Sequence, residues 1–277
     1  MDSFLEGKVA LVTGVSSGLG RGVARAFASR GAAVVGCARR TELGSSLEAE
    51  IGDAGGRFHY AQCDVADVGQ CEALVNGVLE RHGRLDILVN NAGNSGARPV
   101  QRIEKMTETD WDAVQAVNLR AAFTLTRLSL PPMQAQRSGV IVNIASINAR
   151  IGVANMASYN ASKAGLVHLT NTTAVENLAH GVRAIAIILG GVTSEMNRSV
   201  ALEMGRSVRG SDWTPSAEWE ARAATGMGDP DEYGRALALL CSDDARPING
   251  AVIAMDGGAT AGHIASSMIY LGSAGLI

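Results

Sequence analysis

Short apolar segments of β-strand length alternate along the chain with longer segments that have helical spacing of apolar residues. We predict that seven apolar segments are strands: residues 8–13, 32–38, 57–63, 85–90, 140–145, 182–189 and 251–255. Helices between successive strands cover both faces of a parallel sheet. The pattern therefore predicts an α/β fold, with a doubly wound parallel sheet of about seven strands and helices on both faces. No linker, repeat or low-complexity segment divides residues 1–277, so we predict a single domain.

A long predicted helix between the fourth and fifth strands covers residues 110–130. Pro131 and Pro132 follow it and are expected to separate it from the fifth strand, because proline disrupts helix interiors. Asn118 lies inside this helix. Asparagine disfavours helix interiors, so we expect a buried partner or a bend at this residue.

A glycine-rich turn follows the first predicted strand and precedes a helix. The turn, residues 13–20, has the sequence TGVSSGLG. Its glycines allow a tight path and a close approach to a ligand, and the helix that follows presents free N–H groups and a positive dipole end. A strand, turn, helix and strand in this order favour a dinucleotide site, although a plain structural turn is the alternative.

The end of the second strand predicts which dinucleotide is bound. NAD sites place an acidic residue there to hold the ribose 2′-hydroxyl. This chain has no acid at that point and has Arg39 and Arg40 instead. Guanidinium groups match the geometry of phosphate, so we predict NADP(H). The alternative is that both arginines are only solvated surface charges.

Polar residues also follow the third and fourth strands. Asp64 could accept a hydrogen bond from the adenine amino group, or it could cap the next helix. Residues 90–93, with the sequence NNAG, suit a tight turn against a cofactor and also suit an ordinary Asx turn.

A candidate catalytic cluster follows the fifth strand. Ser146 ends that strand, and Tyr159 and Lys163 lie one helical turn apart on the next helix. A free phenol has a pKa of about 10, and a nearby cation favours the phenolate. Lys163 would therefore bring the pKa of Tyr159 toward the range of efficient general acid–base catalysis, while Ser146 would hold a substrate oxygen. Taken alone, the Tyr-x-x-x-Lys spacing is also that of an ordinary helix-surface pair.

Composition narrows the function classes. A net charge of -3 gives no sign of a nucleic-acid partner. The four cysteines lack the spacing of metal ligands, and we predict neither a metal site nor disulfides. No apolar run approaches the roughly 20 residues that span a bilayer. The N-terminus lacks the pattern of a signal peptide, so we predict a cytoplasmic protein without a membrane partner.

Residues 195–228 interrupt the alternation of strands and helices, and we call them the lid segment. Their methionines and tryptophans indicate either a wall for a substrate with a hydrophobic part or a helical hairpin packed for stability or assembly. The tail, residues 259–277, either docks on a neighbouring subunit or frays.

The ordered motifs resemble those of the short-chain dehydrogenase/reductases, from Lys8 to about Gly258. The branch of this family that the chain resembles includes 3-oxoacyl-carrier-protein reductases and many ketoreductases. The resemblance rests on the following residues, in this order and spacing: Thr13-Gly14-x-x-x-Gly18-x-Gly20, Asp64, Asn90-Asn91-Ala92-Gly93, Asn118, Ser146 and Tyr159-x-x-x-Lys163.

The resemblance implies a single-domain Rossmann fold and a role for each matched residue. Tyr159 would be the general acid/base, Lys163 would lower its pKa and bind the nicotinamide ribose, and Ser146 would orient the carbonyl. Asn118 would hold a water in a proton relay. The rest of the cofactor would contact Gly14, Ser16, Ser17, Gly18, Leu19, Asp64, Val65, Asn91, Ala92 and Gly93.

Two further features follow from the resemblance. Ala38 occupies the position of the usual NAD-selecting acid and Arg39 follows it, a pattern that goes with NADP(H) in the family. Family members are commonly tetramers, assembled partly through helices near residues 101–130 and 159–178, so a homotetramer is implied.

The chain departs from the family pattern after the sixth strand. Leu189 replaces a usual proline, and Ser194 replaces a usual threonine. The resemblance implies that Gly190, the backbone of Val192 and the hydroxyl of Ser194 still hold the nicotinamide carboxamide. Nicotinamide positioning is the property that this departure would change.

The sequence thus predicts an NADP(H)-dependent oxidoreductase that interconverts a ketone and a secondary alcohol. Its substrate would be a small molecule with a hydrophobic part, and Tyr159 would transfer the proton. The first alternative is an NAD-linked alcohol dehydrogenase that works oxidatively. The second is a regulatory protein of the same fold that binds a nucleotide without catalysis.

Overall fold

The computed structural model describes residues 3–217 and 228–261. Its seven strands form one parallel sheet in the order β3-β2-β1-β4-β5-β6-β7. The strands are β1 Val9–Thr13, β2 Ala33–Ala38, β3 Arg57–Gln62, β4 Ile87–Asn90, β5 Gly139–Ile144, β6 Val182–Leu189 and β7 Val252–Met255. Each predicted strand is confirmed to within two residues at either end.

Helices follow most of the strands. The α-helices are α1 Gly18–Ser29, α2 Thr41–Asp53, α3 Val68–His82, α4 Glu108–Gln115, α5 Ala121–Gln136, α6 Ala157–Glu176, α7 Glu195–Arg209 and α8 Pro230–Cys241. A π-helical segment covers Ala116–Arg120, and short 3-10 segments cover Ile103–Lys105, Ile147–Ala149, Leu178–His180 and Asp243–Ala245.

The helices cover both faces of the sheet, as predicted. Alternate residues of β1 point to opposite sides: Ala10 and Val12 join a core cluster with α1, α2 and α8. Val9 and Leu11 join a second cluster with α3, α5 and α6. Strands buried on both faces explain why each predicted strand reads as a nearly continuous apolar run.

The order of the strands determines where a ligand site can form. From β1 the chain proceeds outward to β2 and β3, and it then returns to pair β4 with the free side of β1. The direction of strand addition therefore reverses between β1 and β4. Open α/β sheets bind ligands at the carboxyl ends of the strands, next to such a reversal.

The expectation that Pro131 and Pro132 end a helix is wrong. Helix α5 continues through both prolines to Gln136. Met133, which follows them, is fully buried and packs closely against Gly139. Tertiary packing of this last turn outweighs the low helix propensity of proline, as packing usually does in proteins.

The expectation of a buried partner or a bend at Asn118 is confirmed by a buried partner, the hydroxyl of Ser162. Asn118 is fully buried, and it lies in the π-helical segment that joins α4 to α5. Such a segment often accompanies a functional site. The predicted helix over residues 110–130 is therefore two α-helices joined by a local distortion.

The first part of the lid segment is helical, because α7 covers Glu195–Arg209. Trp213 packs against α7 at Gly205. Residues 218–227 of the lid segment and residues 262–277 of the tail lie outside the described residues. Within the described residues, no helix combines the length and hydropathy that a membrane span requires.

Candidate active site

A cleft of about 480 Å³ opens at the carboxyl ends of the strands, on both sides of the β1–β4 boundary. The structure brings nearly all of the predicted site residues together in this cleft. Its lining includes Gly14, Ser16, Ser17, Gly18, Leu19, Arg39, Arg40, Asp64, Val65, Asn91, Ala92, Gly93, Ser146, Tyr159, Lys163, Gly190, Val192 and Ser194. Asn118 lies behind this lining rather than in it.

Ser146, Tyr159 and Lys163 reach the cleft from two elements. Ser146 lies just beyond β5, and the other two residues occupy the first turns of α6. The ammonium Nζ of Lys163 lies 5.7 Å from the centre of the Tyr159 ring, and it donates a 2.8 Å hydrogen bond to the carbonyl of Ile144. The two side chains are neighbours, as their spacing predicts. Lys163 is only 4% exposed, so the pair does not lie on the helix surface.

Burial controls the protonation of both groups. Burial raises the pKa of Tyr159, and its hydrogen bond with Ser146 acts in the opposite direction. Burial also lowers the pKa of Lys163 from 10.5 to about 8. The sequence argument expected the charge of Lys163 to lower the pKa of Tyr159. In the structure the pKa of Tyr159 is raised instead, and desolvation of the phenol is the largest cause, because a buried anion is costly.

Asn118 connects the π-helical segment to the residues around the cleft. Its Oδ1 accepts a 2.8 Å hydrogen bond from the backbone N–H of Asn94, and its Nδ2 donates to the Asn94 carbonyl at 2.9 Å. Nδ2 also lies 3.1 Å from the hydroxyl oxygen of Ser162, next to Lys163. The side chain of Asn118 is thus engaged by protein groups. Its role in a water relay stays a prediction.

The glycine-rich turn leaves no room for larger residues. A Cβ on Gly14 would lie 3.0 Å from the Cα of Ala92, and Gly14 has a φ of 75°. A Cβ on Gly20 would lie 2.3 Å from the Gly14 carbonyl oxygen. No side chain caps the first N–H groups of α1, and its first turn carries no acidic residue. This open helix N-terminus at the cleft fits the diphosphate of a dinucleotide.

Asn91 and Ala92 fix the turn after β4 to the end of β1. The hydroxyl of Thr13 accepts hydrogen bonds from the backbone N–H groups of Asn91 and Ala92, at 3.0 and 2.9 Å. Asn91 Nδ2 donates to the Thr13 carbonyl at 2.7 Å. The amide of Asn91 therefore holds the two sides of the cleft together, and the small residues beside it form the cleft wall.

Asp64 does not cap the helix that follows it. Its Oδ1 accepts from the backbone N–H of Ala66 at 3.0 Å, within the turn before α3. Asp67 is the capping residue, and it accepts from the backbone N–H of Gln70. The capping alternative for Asp64 is therefore wrong. Contact with adenine remains a prediction, which its position in the cleft lining supports.

The two arginines after β2 have different surroundings. Both are exposed and line the cleft. The guanidinium of Arg40 contacts the hydroxyls of Ser16 and Ser17 and forms a 2.7 Å ion pair with Glu195. The backbone carbonyl of Arg39 accepts a hydrogen bond from Gln62. Arg40 is thus more than a solvated surface charge.

The segment after β6 is tightly packed although it departs from the family pattern. A Cβ on Gly190 would lie 2.7 Å from the Cα of Asp256, so only glycine fits there. Leu189 packs against the core, and Val192 is buried. Ser194 is the N-cap of α7 and accepts from the backbone N–H of Asn197 at 3.2 Å. Replacement of the usual proline and threonine therefore leaves an ordered loop.

Sequence reasoning missed several residues around the cleft. Asn94 and Ser162 hold Asn118, and Glu195 pairs with Arg40. Asn148, which donates its backbone N–H to the Ser146 hydroxyl, also donates from its side chain to Asn160 at 2.8 Å. Ser162 lies next to Lys163 and three residues after Tyr159, a spacing that could have indicated it. Nothing in the local sequence indicates Glu195, because its partner is 155 residues away.

A parallel sheet with a strand-order reversal, a glycine-rich turn at that reversal and a Ser/Tyr/Lys cluster in the same cleft define a class of dinucleotide-dependent oxidoreductases. The sequence profile of the family described as short chain dehydrogenase matches residues 8–205. The chain belongs to this family, which confirms the resemblance. Membership implies a nicotinamide cofactor. No cluster of metal-ligating side chains is present among the described residues.

Relatives of assigned activity support this membership. The chain is 35% identical over 255 residues to 3-oxoacyl-(acyl-carrier-protein) reductase FabG of Thermotoga maritima, which covers 92% of this chain and 98% of that protein. It is 34% identical over 266 residues to D-beta-hydroxybutyrate dehydrogenase of Cupriavidus necator, with 92% and 98% covered. The crystal structure of levodione reductase matches with a TM-score of 0.84 and 32% identity, over 93% of this chain and 99% of that one. The chain is thus similar to reductases and dehydrogenases that interconvert ketones and alcohols.

Proposed function

We propose that the protein is an NADP(H)-dependent oxidoreductase that interconverts a ketone and a secondary alcohol. The observation that carries this proposal is the meeting of Ser146, Tyr159 and Lys163 with the glycine-rich turn in one cleft. A nucleotide-binding protein without catalysis has no physical need for a buried lysine beside a tyrosine, because burial of an ammonium is costly.

A nicotinamide held in this cleft would supply a hydride to the carbonyl carbon of the substrate, or would accept one from the alcohol carbon. In reduction, the Tyr159 hydroxyl donates a proton to the developing alkoxide oxygen, and in oxidation the tyrosinate removes that proton. Ser146 holds the same oxygen by hydrogen bonding. Lys163 stabilises the tyrosinate and would contact the nicotinamide ribose. Burial raises the pKa of Tyr159 and keeps the phenol protonated before a reduction.

The preference for NADP(H) rests on the end of β2. Ala38 stands where an NAD-selecting carboxylate would lie, and Arg39 is exposed at the cleft beside it. Arginine offers paired donors to a 2′-phosphate. We further propose that Asp64 and Val65 contact adenine and that Gly190, Val192 and Ser194 hold the carboxamide, since all five line the cleft.

The substrate is proposed to be a small ketone or alcohol with a hydrophobic part. Val117, Leu189 and Met196 line the cleft together with the catalytic cluster. Apolar and adaptable side chains of this kind suit a substrate that has an apolar body. Of the described residues of the lid segment, Met196 is the methionine that supports a role in substrate contact.

We also propose a homotetramer. Large apolar side chains are exposed on the helices that the family uses for assembly, with Phe123 49% exposed on α5 and Val175 68% exposed on α6. Where such side chains form a continuous apolar surface, that surface is typically an interaction site, which a second subunit would cover here. The molar mass from light scattering tests this proposal.

The experiment that tests the function is a panel of ketones and alcohols, assayed with each nicotinamide cofactor at the absorbance of its reduced form. Tyr159→Phe removes the transferable proton and leaves the ring in place. We expect it to lower kcat about a hundredfold to ten-thousandfold, the range of general acid–base catalysis, while the Kd for NADPH changes less than about threefold. Full activity of Tyr159→Phe would refute the mechanism.

A further inference from the structure

Arg40 ties the glycine-rich turn to the start of α7 at the rim of the cleft. Its Nη1 lies 2.7 Å from Oε2 of Glu195, and its Nη2 lies 3.0 Å from the hydroxyl oxygens of Ser16 and Ser17. Its Nε lies 3.3 Å from the Ser16 hydroxyl. Each nitrogen of this guanidinium thus has a protein partner, and every partner lines the cleft.

The start of α7 lies directly against the glycine-rich turn. A Cβ on Gly18 would be 3.1 Å from the Cβ of Ser194, the residue before Glu195. No residue of α7 is fully buried, and beyond its first turn Trp213 packs against Gly205. Asn197 adds a 2.7 Å hydrogen bond to the Val192 carbonyl. Contacts in its first turn thus hold the start of α7 at the cleft.

We propose that the Arg40–Glu195 ion pair is a clasp that holds α7 against the glycine-rich turn and slows the release of the bound dinucleotide. This inference rests on the proposed function, since it takes the cleft to hold NADPH or NADH. It makes Arg40 and Glu195 positioning residues for cofactor retention. It leaves Arg39 as the arginine that recognises the 2′-phosphate, because the donors of Arg40 are already engaged.

The clasp and simple electrostatic repulsion predict opposite effects on cofactor binding when the charge of Glu195 is removed. Glu195 is a negative charge at the rim of a cleft that binds an anionic cofactor. If its charge acted only through long-range repulsion, its removal would strengthen binding, and more so for NADPH than for NADH. If Glu195 acts through Arg40, its removal speeds the dissociation of both cofactors by the same factor.

Glu195→Gln removes the charge and keeps the size of the side chain. Stopped-flow fluorescence of the full-length protein, with the bound reduced cofactor displaced by excess oxidised cofactor, gives the dissociation rate constants. We expect both constants to rise about threefold, within the range of exposed ion pairs. The side chains of the pair are 44% and 72% exposed, which argues against a larger factor. In about 1 M KCl, where screening is strong, the difference from the wild type should shrink.

Glu203→Gln is the matched control. It makes the same charge change on the same helix, but the 3.0 Å ion pair of Glu203 is with Arg206, so this pair lies within α7. We expect it to release both cofactors at the wild-type rate. In an Arg40→Ala background, Glu195→Gln should have no further effect on either rate constant, because the pair is already broken.

Other results would overturn the clasp. Slower release from Glu195→Gln, an effect on NADPH alone, or an equal effect of Glu203→Gln would each show that Glu195 acts through its charge and not through Arg40. These results leave the proposed function intact, because the wild type binds cofactor in each. If the wild type binds neither cofactor, the proposed function itself fails and the clasp fails with it.

Discussion

Lys163 is a residue where catalysis and stability make opposite demands. The sequence places it correctly beside Tyr159, but its burial depends on packing between α6 and β5 that no local pattern reveals. Its ammonium loses its hydration and gains a hydrogen bond to the Ile144 carbonyl. Burial therefore lowers its pKa to about 8 and makes its charged form costly in the folded protein.

We predict that Lys163→Met stabilises the protein at pH 7, by on the order of 2 kcal/mol. The lowered pKa of Lys163 corresponds to a destabilisation of about 3 kcal/mol, which the variant removes. The variant also loses the hydrogen bond to Ile144, which contributes about 1 kcal/mol of stability. Below pH 8 the lysine is charged in both states, so the folded state carries the full cost. Between about pH 8 and the unfolded pKa of 10.5 the folded state loses its proton first, and the cost disappears.

Urea unfolding from pH 7 to pH 10 measures this difference. The advantage of the variant should be largest at neutral pH and should decrease as the pH rises through 8. A variant that is less stable than the wild type at pH 7 would show that the ammonium of Lys163 is well solvated or paired in the folded protein.

At the residue scale, we expect Arg39 to make the protein bind NADPH in preference to NADH. We predict that Arg39→Ala weakens NADPH binding by roughly tenfold to a hundredfold, because hydrogen bonds to a charged group contribute about 1.5–3 kcal/mol. NADH lacks the 2′-phosphate and should bind nearly as it does to the wild type. Fluorescence titration with each cofactor gives both Kd values, and equal losses for both would refute the predicted preference for NADP(H).

At the scale of elements, α1 and α8 are in close contact because each contributes a glycine to the interface. A Cβ on Gly234 would lie 2.4 Å from the Gly22 carbonyl oxygen, and a Cβ on Gly22 would lie 2.2 Å from that of Pro230. A side chain at either position would therefore require the two helices to move apart. This contact supports the start of α1, where the open N–H groups face the cleft.

We predict that Gly234→Ala destabilises the protein by about 1–3 kcal/mol, the usual cost of overpacking, although alanine favours helices. Gly77→Ala in α3 is the matched control, because a Cβ there meets nothing within 4 Å. It should stabilise the protein by up to about 1 kcal/mol. Thermal unfolding of both variants measures these changes, and a stabilised Gly234→Ala would show that the two helices separate without cost.

The elements also show where sequence reasoning succeeds and where it stops. Strand positions and the glycine-rich turn were predictable, because each depends on a local pattern that the fold leaves unchanged. The continuation of α5 through Pro131 and Pro132 was not predictable, because it depends on the burial of Met133 against the start of β5. The same holds for the partners of Arg40 and for the burial of Lys163, which tertiary contacts alone determine.

At the scale of the whole molecule, the two ends of the sheet have different roles. The carboxyl ends of the strands form the cleft, whereas Asp86 joins strands at the opposite end. Its carboxylate accepts from the backbone N–H of Val9 at 2.8 Å and from Arg84 at 2.7 and 2.8 Å. The backbone N–H of Asp86 donates a hydrogen bond to the Val9 carbonyl, and its carbonyl accepts one from the backbone N–H of Val140. One buried residue thus connects β1, β4 and β5 at the end away from the cleft.

Asp86→Asn keeps the size of the side chain but replaces one acceptor oxygen with a donor. Arg84 then loses at least one of its two hydrogen bonds, and Val9 loses its own if the oxygen at Oδ2 is the one replaced. The Asp86 side chain is 3% exposed and that of Arg84 is 46% exposed. We therefore predict a loss of about 2 kcal/mol of stability, below the cost of breaking a fully buried pair. The Kd for NADPH should stay unchanged, because the cleft is at the other end of the strands.

Urea unfolding and cofactor titration of the same preparation test both parts of this prediction. Glu104→Gln removes an exposed partner of Arg102. It should change neither the free energy of unfolding nor the Kd for NADPH, because exposed ion pairs contribute little. If Asp86→Asn weakened cofactor binding as much as it lowered stability, the two ends of the sheet would be coupled through β1 and β4. The separation of stability from binding along the strands would then be wrong.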